Sequence, residues 1–492
     1  MKPVRTRYAP SPTGDPHIGN IRAALFSWAF ARANGGQFLL RIEDTDQARL
    51  VETSVPAIME SLTWLGIDWD EGPGVGGPHG PYYQSQRLPL YQKTALSLID
   101  QGKAYRCFCT AERLDQMRKA QAEAHRAPGY DGLCRDIPRA ESDRRANSER
   151  FVVRFKMKQE GQTILHDLVR GDIVFENALQ DDFVALKSDG FPTYHLGVVV
   201  DDTEMEISHT IRGDEWISSA PKHIQLYEAL GWEAPVWVHL PLILGPDKKK
   251  LSKRSGDVST LDYRQNGYLA EAMVNFLAFL GWSLDDHTSI VTLEDLKQHF
   301  DFARVVPNPA IFDAERLNFL NGHYIRAMSD ERWVETVSEW CEQRLPVSVP
   351  RPLDFGLIFA IAPLLRERIA RLDEIAPMVA FLFSEEPMDY PSEALSEKLG
   401  GDTALAVRVL DAALAELDPL DEAEWAKDRI EAAIRAIEAP LAMKLRKFVT
   451  VLYVAAEGHA HGIPLFESMA LLGRERSLER LRRARAKAQH SL

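Results

Sequence analysis

The chain has 492 residues, 45% hydrophobic and 26% charged, which is the balance of a folded soluble protein and excludes a disordered or fibrous one. That length is more than one core can fill and predicts roughly three to four domains. The net charge of −14, taken alone, argues against a nucleic-acid partner. The longest apolar run, Phe355 to Leu365, is broken by Gly356 and Pro363 and falls short of the roughly 20 residues of a membrane span.

Lys2, Arg5 and Arg7 lead into polar turn chemistry rather than an apolar signal region, so a cytoplasmic protein is expected. Val4 to Tyr8 reads as a short strand. The stretch Tyr8-Ala-Pro-Ser-Pro-Thr-Gly-Asp-Pro-His-Ile-Gly-Asn20 follows it. An amphipathic helix is predicted from about Ile21 to Ala33, carried by Leu25, Trp28 and Ala29 and ended by Gly35-Gly36. A strand, a tight turn and a helix N-terminus make an anion site, because amide groups and the positive end of the helix dipole face whatever docks there. Gly14 and Gly19 admit close approach, Asp15 is the expected cap, Pro16 suits the first turn, and His17 is placed to donate to a phosphate. On these residues alone, an ordinary corner with a surface histidine stays equally open.

Gln37 to Ile42 reads as a buried strand ending in Glu43-Asp44-Thr45-Asp46. Carboxylates at that end of an α/β strand meet ligands, or they cap the helix predicted from Val55 to Leu65. Gly72 to Pro81 is loop, and Leu88 to Gln101 is a helix stopped by Gly102. This βαβα order predicts a parallel sheet with helices on its faces.

Cys107-Phe-Cys109 and, further on, Cys134-Arg-Asp136 interrupt the pattern. Three thiolates and a carboxylate can enclose a tetrahedral zinc ion, or they are three reduced thiols in a cytosolic protein. Strands are expected at Phe151 to Met157, Ile173 to Glu176 and Phe183 to Leu186. Lys187-Ser-Asp-Gly190 is a hairpin signal, with a return strand through Tyr194-His-Leu-Gly-Val-Val-Val-Asp-Asp202. The run Ile207 to Ile211 leads into Arg212, which either pairs with a carboxylate ligand or forms an ion pair with Asp214 or Glu215. A helix at Ile217 to Leu230 and a strand at Val236 to Leu244 come next. The basic loop Gly245-Pro-Asp-Lys-Lys-Lys-Leu-Ser-Lys-Arg-Ser-Gly256 can wrap a polyphosphate through Lys250 and Lys253. From about Leu261 onward the patterns are almost entirely helical. Pro346 to Pro352 and Pro387 to Pro391 are linker candidates, and the last helix carries a basic run from Arg474 to Lys487 that reads as a solvated face.

Asp-Pro-His17-Ile-Gly-Asn20 and Lys250-Leu-Ser-Lys-Arg254, in this order and spacing, resemble the two signature motifs of class I aminoacyl-tRNA synthetases. Ala9-Pro-Ser-Pro-Thr-Gly14, Arg41-Ile-Glu-Asp-Thr-Asp46, Asp189-Gly-Phe-Pro-Thr-Tyr-His195, Arg212-Gly-Asp-Glu-Trp216 and Leu471-Leu-Gly-Arg-Glu-Arg476 resemble the bacterial glutamyl-tRNA synthetase family over essentially the whole chain. The resemblance implies an α/β nucleotide-binding, Rossmann-like core (residues 1–106 and 190–245). It further implies an inserted α+β acceptor-stem domain (107–189), a stem-contact domain with the Lys-Leu-Ser-Lys-Arg loop (246–330) and an all-α anticodon-binding domain (331–492).

It also implies activation of L-glutamate by ATP with Mg2+, in the presence of tRNA(Glu), and transfer to the terminal adenosine of that tRNA. His17, Lys250 and Lys253 are the implied catalytic residues. Pro10, Thr13, Gly14, His17, Gly19, Asn20, Glu215, Trp216, Ile243 and Lys253 fall at ATP positions, and Arg7, Ser11, Glu43, Tyr194 and Arg212 at glutamate positions. Arg368 matches an anticodon-reading arginine. Cys107, Cys109, Cys134 and Asp136 match a structural zinc set, with Asp136 where the family has His. Val198 stands where the family often has Asn. No membrane partner is expected, and the chain is expected to be a monomer. A glutaminyl-type synthetase would replace Arg212 and carry a β-barrel C-terminus, and a non-catalytic tRNA-binding paralogue would not retain His17, Glu43, Lys250 and Lys253.

Overall fold

The buried strand β1 (Arg5–Tyr8), the helix α1 (Ile18–Ala33) and the strand β2 (Gln37–Leu40) form the expected opening βαβ unit. The strands are parallel, from Arg5 opposite Gln37 to Tyr8 opposite Leu40, so a crossover helix must join them. The computed structural model describes residues 3–249, 251, 259–384 and 390–491. They divide into two compact units, Met1–Arg264 with Ala270–Leu317, and Gln265–Leu269 with Asn318–Leu492. In the first unit α1 is buried almost all round instead of along one stripe, because it packs on β1 and also against the helices Ala270–Ala278 and Leu293–His299. The helices α2 (Ser54–Trp64) and α3 (Leu88–Asp100) keep within a residue of their sequence-based bounds.

Between α3 and the second half of the unit come β3 (Ala104–Cys107), α4 (Ala111–Glu123), α5 (Arg139–Ala146), β4 (Val152–Phe155), the hairpin β5 (Gln162–Asp167) and β6 (Gly171–Glu176), and β7 (Val184–Leu186). β3, β4 and β7 make a three-stranded antiparallel sheet, the α+β interruption expected from the sequence. β5 was absent from the sequence reading. Its signal is the period-2 alternation of Thr163, Leu165 and Asp167, which are buried, with exposed neighbours.

The return strand expected through Tyr194–Asp202 is instead a helix, α6 (Tyr194–Glu204). The hairpin turn does form, with Gly190 N–H bonded to the Lys187 carbonyl at 3.0 Å, but strand pairing stops at one bridge, Leu186 to Pro192. Proline offers no N–H to extend the ladder. Three consecutive valines then accept a helix because Leu196 to Asp202 are buried throughout, and burial outweighs β-propensity. After β8 (His209–Gly213) and α7 (Ala220–Leu230), the strand expected at Val236–Leu244 splits around Pro241 into β9 (Val236–Leu240) and β10 (Ile243–Leu244). β8 and β9 are parallel in the sheet order β6-β5-β9-β8, and Ser208 N–H bonds the Arg5 carbonyl at 2.9 Å, which brings β8 beside β1. The C-terminal ends of β1 and β8 therefore meet where an α/β sheet holds its ligand.

The second unit is helical throughout, as expected. Pro346 to Pro352 is a turn inside this unit and not a linker, and the Arg351 guanidinium ties it down by donating to the carbonyls of Glu342 and Leu345 at 3.2 and 3.0 Å. Pro387 to Met388 and Asp389 lie outside the described residues. The basic run of the last helix, Arg474–His490, is only partly a solvated face: Arg482 and Arg483 are exposed, while Arg474 donates to the carbonyls of Leu420 and Asp418, Arg476 to Ser384, and Arg480 to Ala456 and Phe381. Among the described residues no helix is long and apolar enough to cross a membrane.

Candidate active site

The corner after β1 is held on both sides. Glu43 N–H donates to the Pro10 carbonyl at 3.0 Å, Val51 N–H to Pro12 at 3.0 Å, and the Ser54 hydroxyl to Gly14 at 2.6 Å. The cap of α1 is His17 and not Asp15: the His17 Nδ1 accepts the Gly19 N–H at 3.2 Å, and the His17 carbonyl accepts from Asn20 and Ile21. These amides are thus occupied, and the corner offers a ligand the positive helix end rather than a row of open N–H groups. An accepting Nδ1 puts the proton of the neutral ring on Nε2, which makes that atom a donor. A Cβ at Gly19 would stand 3.1 Å from the His17 ring, so a side chain here would press on that ring.

The cavity at the ends of β1 and β8 has a volume of about 460 Å³. It gathers Arg7, Pro10, Ser11, Thr13, His17, Gly19, Asn20, Glu43, Tyr194, Arg212, Glu215, Trp216 and Ile243, residues that are scattered over the first half of the sequence. Gly14 does not line it. Val198 packs in the apolar core with Leu196 and Val200 and does not line it either. Lys250 and Lys253 lie outside the described residues. Their neighbours are placed, however. Leu251 lines the cavity and its N–H bonds the Ile243 carbonyl at 3.3 Å, while Ser259 forms a bridge with His17.

Arg212 is 6% exposed and forms no ion pair with Asp214 or Glu215; Asp214 pairs with Arg170. Its Nε donates to His239 at 2.9 Å, and its NH1 to the Tyr194 hydroxyl at 3.2 Å and to His223 at 3.1 Å. Its NH2 is buried without a hydrogen-bond partner. The Tyr8 hydroxyl, in the same cavity lining, is also unpartnered. A buried orphan donor costs roughly 1–3 kcal/mol until an acceptor arrives, so this wall suits a carboxylate. Tyr194 in turn lies against Trp216, ring centroids 4.4 Å apart, and Trp216 stays 38% exposed at the rim.

Beneath the polar wall is a network that sequence reading missed. Asp202 Oδ1 accepts from Arg7 Nε at 3.0 Å and Arg41 NH1 at 2.8 Å, and Arg41 NH2 donates to Glu43 at 3.0 Å. Asp201 accepts from Arg87, Gln84 and Tyr91. The signal was two acids at the end of an apolar run. Burial raises Glu43 above the ordinary carboxylate value despite Arg41 and Arg7. Burial acts the same way on Asp202, but there the two guanidiniums win and hold it below that value.

In the inserted segment the Cys107, Cys109 and Cys134 sulfurs lie within 4.8 Å of one another. Asp136 does not join them; it is exposed in the turn closed by Ile137 N–H on the Cys134 carbonyl. Tyr130 stands there instead, its hydroxyl 3.4 Å from Cys107 and 3.5 Å from Cys109, and it accepts the Cys134 N–H at 2.9 Å. Hydrogen bonding from Cys134 draws the Cys107 thiol below its ordinary value. Three thiol sulfurs this close together suit zinc. In the second unit Arg368 is exposed and donates to the Gly462 carbonyl at 3.0 Å.

Residues 3–319 match the family of tRNA synthetases class I (E and Q), catalytic domain, and residues 327–485 match the anticodon binding domain family. A glutamate–tRNA ligase of Dehalococcoides mccartyi strain CBDB1 is 47% identical over 484 residues, covering 98% of this chain and 97% of that protein. One from Acidothermus cellulolyticus is 46% identical over 488 residues, covering 98% and 95%. The crystal structure of a glutamate tRNA ligase from Elizabethkingia meningosepticum, solved in complex with its amino acid, superposes with a TM-score of 0.82 at 33% identity, covering 99% of both chains. The chain belongs to the glutamate–tRNA ligase family of class I tRNA synthetases.

Proposed function

We propose that this protein activates L-glutamate with ATP and transfers it to the terminal adenosine of tRNA(Glu), activation itself requiring the tRNA. The observation that carries this reading is Arg212: a buried guanidinium, paired with no carboxylate among the described residues and with an orphan NH2, at the wall of a cavity that also holds the His17 corner. Arg212 takes the substrate's side-chain carboxylate, and Glu43 its ammonium group, with Arg7, Ser11 and Tyr194 around them. The adenine lies against Glu215, Trp216 and Ile243. Pro10, Thr13, Gly19 and Asn20 form the nucleotide corner. His17 Nε2 donates to the phosphates, and Lys250 and Lys253, on either side of Leu251 in the sequence, stabilise charge on the leaving pyrophosphate. Mg2+ enters on the ATP. The chemistry is positioning plus electrostatics: the glutamate α-carboxylate is held against the α-phosphate, and the mixed anhydride forms as pyrophosphate departs.

The same reading assigns residues 1–106 and 190–245 to activation, 107–189 to the acceptor stem, 246–330 to stem contact and 331–492 to the anticodon, with Arg368 reading an anticodon base. Zinc, held by Cys107, Cys109 and Cys134 with the Tyr130 oxygen beside them, stiffens the inserted domain. The protein acts as a monomer in the cytoplasm. The test is ATP–pyrophosphate exchange with purified tRNA(Glu): glutamate supports exchange only when tRNA is added. Exchange without tRNA, or faster exchange with glutamine, overturns the reading. Charging of tRNA(Glu) and tRNA(Gln) side by side defines the tRNA range.

A further inference from the structure

Arg212 does not stand alone. Asp167 Oδ2 lies 2.6 Å from His239 Nδ1, both side chains fully buried, and His239 Nε2 accepts the Arg212 Nε–H. On the other branch His223 Nδ1 faces Arg212 NH1, and His223 Nε2 lies 3.0 Å from His195 Nδ1. Arginine only donates, so both histidine nitrogens that face it must present lone pairs. His239 then carries its proton on Nδ1 and gives it to Asp167, and His223 carries its proton on Nε2 and gives it to His195. Burial first, and the guanidinium second, keep His223 neutral. The chain Asp167–His239–Arg212–His223–His195 thus has one arrangement of protons. In it Nε is satisfied, NH1 is shared between Tyr194 and His223, and NH2 remains.

We infer that His239 and His223, oriented by Asp167 and His195, are positioning residues that lock the Arg212 fork with NH2 left for the substrate carboxylate, and so set the preference for glutamate over glutamine. The inference rests on the assignment of Arg212 to that carboxylate. A neutral amide offers one acceptor oxygen and no charge where the carboxylate offers two oxygens and a full negative charge, so a guanidinium held fast by its other bonds is satisfied less well by glutamine.

Asp167→Asn tests the proton order with almost no change of shape. Asp167 Oδ1 already accepts from Val169 and Arg170 N–H groups at 3.0 and 2.9 Å, so the new amide nitrogen takes the Oδ2 place. His239 must then carry its proton on Nε2, donor against donor at Arg212. In tRNA-dependent exchange assays of the full chain, D167N should raise KM for glutamate by about 10-fold or more and leave KM for ATP within about twofold, with a lower glutamate-to-glutamine ratio. His223→Leu should do the same. His223→Asn, which restores an acceptor near the Nδ1 position, should recover most of the loss. Arg212→Ala separates the two readings. If R212A leaves KM for glutamate unchanged, the carboxylate assignment falls and the inference with it. If R212A raises it while D167N and H223L stay near wild type, the assignment stands and the inference is overturned. Equal losses in H223L and H223N also overturn it, since that is what mere packing would give. Should D167N fail to fold, the H223L and H223N pair decides.

Discussion

Arg41 reaches Asp202 with its NH1 2.8 Å from Oδ1, and neither side chain is open to solvent: they are 0% and 3% exposed. The pair is shared, because Arg7 donates to the same oxygen, and Arg41 also holds Glu43. Two residues assigned to the amino acid, Arg7 and Glu43, are therefore braced by one carboxylate from α6. Asp202→Ala leaves the buried Arg7 without its counter-charge and Arg41 with only Glu43 and Asp201. It should destabilise the first unit by about 3–5 kcal/mol, as removal of one partner of a buried pair does. Urea denaturation followed by intrinsic fluorescence measures this; a change under about 1 kcal/mol would show the network to be dispensable.

Leu251 N–H bonds the Ile243 carbonyl at the cavity, and Ser259 forms a bridge with His17. Lys253→Ala should lower exchange turnover roughly 10²-fold or more with little change in KM for glutamate, since the lost interaction belongs to the transition state. His17→Ala should lower turnover alongside it. A near-normal rate in either variant removes that residue from the phosphate chemistry.

The thiol set predicts about one zinc per chain in purified protein by elemental analysis. Cys134→Ala should abolish it, and Asp136→Ala, at an exposed residue outside the sulfur cluster, should leave it in place. A metal content near zero in the unmodified chain ends the proposal, and loss of zinc in D136A would restore Asp136 as a ligand.

Glu457 in the second unit is fully buried, and burial pushes its carboxyl up to about 8, against a 2.7 Å hydrogen bond from the Ser468 hydroxyl and the nearby Arg368 charge. In the fold it keeps its proton, while the unfolded chain releases it above about 4.5. Below that value both states are protonated and the full stability is present. As the pH rises from about 4.5 to about 8 the unfolded state is favoured, by up to ~1.4 kcal/mol per pH unit. Glu457→Gln keeps an acceptor for Ser468 and removes the titration. Its Tm advantage over the unmodified chain should therefore grow between pH 5 and pH 8. A constant difference across that range would mean that Glu457 is ionised in the folded state.

What the amino-acid order determined by itself is local. The βαβ opening follows from hydrophobic runs and glycine stops, and the helical second unit from unbroken 3.6-residue patterns. The motif residues around His17, Glu43 and Arg212 carry their chemistry in their type and spacing. Where neighbours along the chain decided the outcome, sequence reading and structure coincide. Tertiary structure decided the rest. Tyr194–Asp202 has the composition of a strand and becomes a helix, because its β pairing ends at Pro192 and Leu196 to Asp202 are buried throughout. That single change sets Asp201 and Asp202 beside arginines far away in sequence. Arg7 meets Asp202 across 195 positions and Arg41 across 161, and no local pattern reports such partners. The histidines that hold Arg212 come from α7 and β9 and the acid that orients one of them from β5, a strand whose pairing with β9 is long-range. Buried polar groups must find partners wherever the fold supplies them, and that requirement is met only when the whole sheet has assembled.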